Sequence, residues 1–488
     1  MKAATSSLLA SSLLLHPIKS PNHHSTITAT ATATTSKTLP PSLICRAENK
    51  PTINPRKKPT MDGPTRPTRG RNSRKPSYGT SRRSALKKTF SQEQVTFTGP
   101  LSDDPVVGII GGGMSGLLCA LSLEERGVRS TVFDTGLHGL GGRMGTRLID
   151  PQPLIFDHAA QFFTVSDQRF SKLVDGWLEK GLIKQWQGTI GELEVGGQFV
   201  PLPSSPPRLT EKEHMVQTSM VDVVRPSWIS KLEPFNGMWH LSENGKPSGQ
   251  FDAIVIAHNG KCANRLLSSS GLPLIARQMK RLELSSIWAL LAAFEDPLPI
   301  PPNALTFPFE GAFVKGVDSL SWMANNTKKL SCSPNTGPHC WTFFSTAAFG
   351  KRNKVPQESI PAVTADKVKA AMLEGVESAL GLSKGSLKRP FYSRVQLWGA
   401  ALPTNTPGIP CIFDPHGRAG ICGDWLLGSS LEAAAISDYF QSGGTRPDEF
   451  AVGLHNEFQP LAGHDIGQFP GLESKEQTFG AQAIQLST

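Results

Sequence analysis

Residues Val106 to Asp134 read VVGIIGGGMSGLLCALSLEERGVRSTVFD. Val106 to Ile110 is a short apolar run of the kind that fills a buried parallel strand. Gly111, Gly113 and Gly116 follow at the spacing G-x-G-x-x-G, with Met114 and Ser115 before the third glycine. Leu117, Leu118, Leu121 and Leu123 give the next stretch a helical apolar side, Gly127 ends it, and Ser130 to Phe133 reads as a second strand. The pattern predicts a β-α-β unit whose first turn binds a dinucleotide. Gly111 permits the tight turn, Gly113 lets the backbone approach a pyrophosphate, and Gly116 lets helix and strand pack closely. The helix N-terminus points unpaired N–H groups and a partial positive charge at the phosphates. Asp134 closes the second strand, where an acid accepts hydrogen bonds from ribose hydroxyls. A Gly-rich structural turn would leave Asp134 unexplained.

A chain of 488 residues can form two or three domains with a large core. The net charge of +10 is unevenly placed. Residues 1–47 hold Lys2, Lys19, Lys37 and Arg46 and no acid, and residues 48–100 hold 13 Lys/Arg against Glu48, Asp62 and Glu93. The rest of the chain is therefore slightly acidic, and nothing in it calls for nucleic acid as a partner. The seven cysteines (45, 119, 262, 332, 340, 411, 422) form no CxxC pair, and an odd number fits a disulfide framework poorly. No apolar run approaches the roughly 20 residues that span a bilayer. The longest candidate, Ile287 to Phe294, reads as core.

Residues 1–47 are rich in Ser, Thr, Ala and Leu, which fits a plastid transit peptide with cleavage near Ile44 to Ala47. A secretory signal built on Leu8 to Leu15 is the rival reading. Residues 48–100 form a Pro- and Lys/Arg-rich segment too poor in apolar residues to fold alone, read as a tether. Contact with anionic lipid or RNA is the sharper alternative for that segment.

Gly139 to Arg147 reads GLGGRMGTR. The paired Gly141 and Gly142 suit a second backbone approach to a diphosphate, and Arg143 can add a charge-assisted hydrogen bond. An NAD-only domain does not need this loop, so FAD is the expected cofactor. With this loop the chain resembles the flavin amine oxidase superfamily, and within it the renalase-like branch of FAD-dependent oxidoreductases. The block Phe156 to Thr164, FDHAAQFFT, is similar to a family segment that passes close to the flavin ring, which implicates Ala160, Gln161 and Phe162. The resemblance places backbone near Val223 against the adenine. It also matches Trp322 to Lys328, WMANNTK, and Val395 to Ala400, VQLWGA, a strand that lines the flavin pocket. Trp398 there is either a pocket wall or plain core. Ile421 to Trp425, ICGDW, followed by Gly428 to Ala434, GSSLEAA, is the second strong motif. In the superfamily the acid, here Asp424 after Gly423, binds the ribityl chain. N–H groups near Leu431 and Glu432 stabilise negative charge on the reduced flavin. One departure stands out: the family's Gly-Met pair opening a helix is missing, and Arg208 to Ser219 is short and polar.

The expected fold is α/β, a discontinuous Rossmann-like FAD domain with an inserted mixed-sheet substrate domain. The FAD domain takes 101–164, 220–266 and 405–445, the substrate domain 165–219 and 267–404, and 446–488 is a tail read as a loop or docking segment. The resemblance implies a non-covalent flavoprotein that transfers hydride between a small or hydrophobic substrate (an amine, NAD(P)H, or an isoprenoid or pigment precursor) and flavin N5. Reoxidation would use oxygen or another acceptor. Two alternatives stay open, a desaturase- or isomerase-like plastid enzyme with peripheral membrane contact, and a flavin-binding scaffold without turnover. The sequence identifies neither a catalytic acid or base nor a metal site, and it leaves the oligomeric state open.

Overall fold

The computed structural model describes residues 93–461 apart from 138, 152–153, 205–206, 212–219, 259–260, 331–336 and 442–452. The transit-peptide reading, most of the basic tether and the end of the tail lie outside these residues. So do 212–219 of the segment where the Gly-Met pair was sought.

In chain order, β1 (Val106–Ile110), α1 (Met114–Glu124) and β2 (Arg129–Phe133) form the expected β-α-β unit. A hairpin follows, β3 (Thr146–Ile149) and β4 (Leu154–Asp157), then α2 (Gln168–Glu179). Next come β5 (Ile183–Gln185), β6 (Ile190–Glu194), β7 (Gln198–Pro201), β8 (Leu209–Glu211) and β9 (Val221–Val224). A meander of β10 (Lys231–Phe235), β11 (Met238–Glu243) and β12 (Lys246–Phe251) leads to β13 (Ala253–Ile256). Its first turn is Asn236-Gly237, both with positive φ (50° and 76°), the conformation that matches strand twist in a two-residue hairpin.

The first sheet has six strands. β9, β2, β1 and β13 lie side by side and parallel, followed by β21 (Ala419–Ile421), also parallel, and β20 (Ile412–Asp414), antiparallel at the edge. Its strands come from three stretches of chain, 106–133, 221–256 and 412–421. β1 lies between β2, its neighbour in sequence, and β13, which returns from about 145 residues later, the parallel arrangement of the doubly wound α/β class.

The second sheet is mixed and has seven strands. β18 (Tyr392–Trp398) is at one edge, followed by β14 (Ile287–Phe294), β17 (His339–Phe344), β16 (Trp322–Asn325), β15 (Gly311–Lys315), β6 and β7. The run of apolar residues in β14 reflects burial on both faces. Trp288, Leu290, Ala292 and Phe294 pack against the long helix Ala362–Leu380, through Val368, Met372 and Val376. That helix ends at Gly381 in the left-handed conformation (φ 69°), which glycine adopts without strain. On the other face, Leu291 and Ala293 meet Leu154 and Phe156 of the β3–β4 hairpin, while Ile287 and Ala289 meet Phe162, Trp186, Phe313 and Trp322. This second face looks toward the dinucleotide turn.

Two ends of the chain are more ordered than the sequence reading allowed. Val95 and Phe97, assigned to the tether, pack on the first domain's core, with Val95 N–H donating to the Gly271 carbonyl at 2.8 Å. In the tail, Leu454 is buried in the same core and Phe458 lies 6.2 Å from Trp425. Among the described residues, no helix is long and apolar enough to cross a membrane.

Candidate functional site

The three glycines of the first turn have different surroundings, and these test whether the turn fits a dinucleotide. Gly111 has φ of 122°, and a Cβ there would lie 3.0 Å from the Ala257 backbone. A Cβ on Gly116 would lie 1.9 Å from the Gly111 carbonyl oxygen. Both positions are closed by the protein itself. A Cβ on Gly113 would meet nothing within 4 Å. Gly113 has ordinary extended torsions (φ −78°, ψ 179°) and starts α1 without a side-chain cap. Nothing in the protein's own packing or torsions requires a glycine at 113. The position faces open space at an uncapped helix N-terminus, where an anion is stabilised. Met114 and Ser115, the first helical residues, are buried.

The second glycine pair lies directly on this turn. Gly141 N–H donates to the Gly112 carbonyl at 2.8 Å, Gly113 and Gly141 form an isolated parallel bridge, and a Cβ on Gly142 would lie 3.4 Å from Gly113 Cα. Asp134 is more occupied than the sequence reading supposed. Its Oδ2 accepts from Gly112 N–H at 2.8 Å and its Oδ1 from Gly136 N–H at 2.6 Å. The carboxylate pins the turn, and a ribose hydroxyl would use its remaining lone pairs. Val223 lies beside it on the edge strand β9, opposite Val132 and 37 % exposed.

Arg143 and Asp424, read separately in the sequence, form an ion pair. Arg143 Nη2 donates to Asp424 Oδ1 at 2.7 Å, and Nη1 donates to the Ala401 carbonyl at 2.8 Å. The Asp424 charge raises the Arg143 pKa above its ordinary value. The pair ties the diphosphate loop to the C-terminal motif. Gly423 N–H donates to Ser437 Oγ at 2.9 Å, which holds that motif to the helix Leu431–Gln441. The Glu432 side chain has a structural task not foreseen. Its Oε2 accepts from the N–H groups of Ser166 and Asp167, both at 2.7 Å, while Asp167 caps α2. The backbone N–H groups of Leu431 and Glu432 stand in the first helical turn, where intrahelical acceptors are lacking.

Between the turn and the second sheet lies a buried polar network. Lys329 is fully buried and forms an ion pair with Asp157, and its Nζ donates to the Gln161 carbonyl at 2.6 Å. Asn326 Oδ1 accepts from Asp157 N–H at 3.1 Å, and its amide donates to Thr342 Oγ1 at 2.7 Å. Burial lowers the Lys329 pKa, and Asp157 opposes that shift. The Gln161 side-chain amide donates to the Asp157 carbonyl at 2.8 Å, while its Oε1 is buried without a partner. Ala160 N–H donates to the Arg143 carbonyl, which joins this segment to the diphosphate loop. Phe162 lies 6.0 Å from Trp186 and 5.9 Å from Trp322, within the aromatic cluster. Trp398 stacks on His158 at 5.4 Å and donates to the His158 carbonyl at 3.0 Å. Burial, with help from Arg147, lowers the His158 pKa to about 4. Trp398 thus joins β18 to the β4 segment and forms part of the wall between turn and sheet.

Comparison with known proteins agrees with this geometry. Residues 109–177 match the family model described as NAD(P)-binding Rossmann-like domain. The chain carries a Rossmann-like nucleotide domain. Among solved structures it is similar to the "Putative protoporphyrinogen oxidase" from Exiguobacterium sp. 255-15, at 12 % identity and a TM-score of 0.50, over 70 % of this chain and 98 % of that one. It is also similar to a putrescine oxidase bound to putrescine (10 % identity, TM-score 0.49, 69 % and 98 % of the two chains). Cyclohexylamine oxidase from Brevibacterium oxydans IH-35A matches at 12 % identity and a TM-score of 0.47, over 70 % and 98 %. At 12 % identity the likeness to the first of these concerns the fold alone.

Several residues around the Rossmann-like domain escaped the sequence reading. Asp157 stands within the Phe156 to Thr164 segment with no role assigned to it, and Lys329 lies one residue past the Trp322 to Lys328 segment. Lys329 follows Lys328, which is exposed, and nothing local says which of the twin lysines is buried. Asn325, Asn326 and Thr327 spell a glycosylation signal, yet all three are buried.

Proposed function

We infer that the protein is an FAD-dependent oxidoreductase of the amine oxidase-like kind, acting on a small or hydrophobic substrate. The observation that carries this reading is the open position at Gly113, under an uncapped helix and linked through Arg143 to Asp424. Gly111 to Gly116 and Gly141–Gly142 would hold the diphosphate, Asp134 and the β9 edge near Val223 the adenosine end, and Gly423–Asp424 the ribityl end. Ala160, Gln161, Phe162 and Trp398 would border the ring, and the first turn at Leu431 and Glu432 would face its negative charge. Bound FAD would supply a two-electron acceptor for a substrate hydride, with reoxidation by oxygen or another acceptor. The residues of the chain orient the ring and the substrate, and they exclude water through the Phe162 aromatic cluster.

The test is direct. The full chain should purify yellow, and acid or heat should release FAD rather than FMN. A folded, colourless protein that takes up no added FAD overturns the reading. The acid-poor residues 1–47 support a plastid address, and a reporter fused to residues 1–60 should enter plastids. Delivery to the secretory pathway would refute that address.

A further inference from the structure

The turn Asp424–Leu426, read above as the ribityl end of the cofactor site, is a single tight turn of three residues. Leu427 and Gly428 N–H donate to the Asp424 carbonyl at 3.1 and 2.9 Å, and Leu426 N–H donates to the Gly423 carbonyl at 3.2 Å. So short a turn does not hold its own orientation in water. Its contacts with the rest of the chain set it. Asp424 pairs with Arg143 on one side. The Leu426 carbonyl accepts from Thr406 Oγ1 at 2.8 Å and from Ile409 N–H at 3.0 Å. The Trp425 indole, 1 % exposed, stacks on Phe458, with ring centres 6.2 Å apart and planes 16° from parallel.

Phe458 belongs to the stretch 453–461 of the tail, which is fastened on both sides of this ring. Before it, the Leu454 carbonyl accepts from Gln278 Nε2 at 2.6 Å and the Asn456 carbonyl from Arg281 Nη1 at 2.8 Å. Arg281 also forms an ion pair with Glu457, and its Cζ lies 5.8 Å from the centre of the Phe458 ring. Gln278 and Arg281 both stand on the helix Pro273–Arg281. After Phe458, Gln459–Pro460 pairs antiparallel with Asn405–Thr406, and Leu461 N–H donates to the Thr404 carbonyl at 3.0 Å. The stretch therefore backs the turn twice. It meets Trp425 directly through Phe458, and it pairs the short strand whose Thr406 hydroxyl holds Leu426.

We propose that residues 453–461 form a strap that orients the Asp424 turn for the cofactor, with Phe458 as a positioning residue that acts through Trp425. The proposal rests on the FAD reading above and gives the tail a part in retaining the cofactor. With the strap seated, the turn is ordered on folding. Without it, the same ordering falls on the binding step, and affinity drops while the fold persists.

The test uses the full-length protein, with FAD affinity measured by equilibrium dialysis well below the melting temperature and folding checked by circular dichroism. Phe458→Ala should weaken FAD by about 5- to 10-fold, the worth of one aromatic pair. Phe458→Tyr keeps the ring and should bind FAD as the parent does. In the FAD-free Phe458→Ala protein, amide exchange at Leu426 to Gly428 should quicken, while exchange in β1 and β2 stays as in the parent. A role in packing alone would lower the melting temperature and leave both FAD affinity and exchange at the turn unchanged, and that result overturns the proposal. If Phe458→Ala does not fold, the parent decides. In low urea its Leu461 amide and those of Leu426 to Gly428 should open together, before β1 and β2. Opening of Leu461 with the turn still protected overturns the proposal. A folded parent that takes up no FAD counts against the FAD reading, and the exchange measurements still decide whether the strap holds the turn.

Discussion

The dinucleotide turn and the face that the second sheet turns toward it are built by opposite means. At the turn, backbone meets backbone, and the decisive positions are glycines whose missing side chains allow close approach. At the sheet face, side chains meet side chains from 154–162, 186–210, 287–344 and 392–401. Asp157, Lys329, His158 and Trp398 each depend on a partner far along the chain. The first region tolerates almost no added atom where it closes on itself. The second tolerates no lost partner, because its charges are out of reach of water.

The strongest test of that contrast removes one buried partner. Lys329→Met should cost about 3–5 kcal/mol by leaving Asp157 buried and unpaired, measured by urea denaturation. The double variant Lys329→Met/Asp157→Asn should recover much of the loss. A cost under about 1 kcal/mol would mean that the network is incidental.

A pH series on His158 probes the same face. Its folded pKa of about 4 lies below the ordinary 6.5. Between those values the unfolded chain binds a proton that the native state refuses. Stability should therefore fall as pH drops from about 6.5 toward 4, by a total of about 3 kcal/mol. In His158→Gln this slope should be absent, and an unchanged slope would place the titrating group elsewhere.

At the turn, neighbouring glycines should part company. Gly116→Ala should destabilise the protein by about 1–3 kcal/mol or more, because its Cβ is forced against the Gly111 carbonyl. Gly113→Val should fold normally, since its extended torsions accept a branched residue. Its affinity for FAD should nevertheless drop by about 100-fold or more in equilibrium dialysis, about 2.7 kcal/mol. If Gly113→Val retains FAD as tightly as the parent, the open side of the turn is not the phosphate cradle.

The smallest effect belongs to Glu432. Replacing it with Gln should cost about 1 kcal/mol, because a neutral amide oxygen accepts more weakly from Ser166 and Asp167. Thermal melts with and without FAD should shift by the same amount if the side chain serves the scaffold rather than the cofactor.

How far each region was legible follows from the range of its constraints. The spacing of Gly111, Gly113 and Gly116 is legible because a turn of six residues imposes it locally. Gly381 ends its helix, and Asn236-Gly237 closes its hairpin, for equally local reasons. Asp134 was only half legible: its place at the end of β2 was clear, but its bonds to Gly112 and Gly136 depend on the folded turn. The pairing of Arg143 with Asp424 spans 281 residues. No periodicity in either segment points to the other. Arg208 lies in a stretch that reads as polar and short, so its burial beneath Phe162 had no signal. Val95 and Phe97 were hidden for another reason, since two apolar residues at the end of a basic tract do not change its composition.

The helix Leu431–Gln441 covers Met114 and Leu118 of α1 with Ala434 and Ala435. The chain that emerges from the ribosome therefore carries this first apolar surface bare for about 300 residues. At about 5–20 residues per second that is on the order of 15–60 s. The N-terminal unit is written early but completed late, when residues 431–441 reach its first helix.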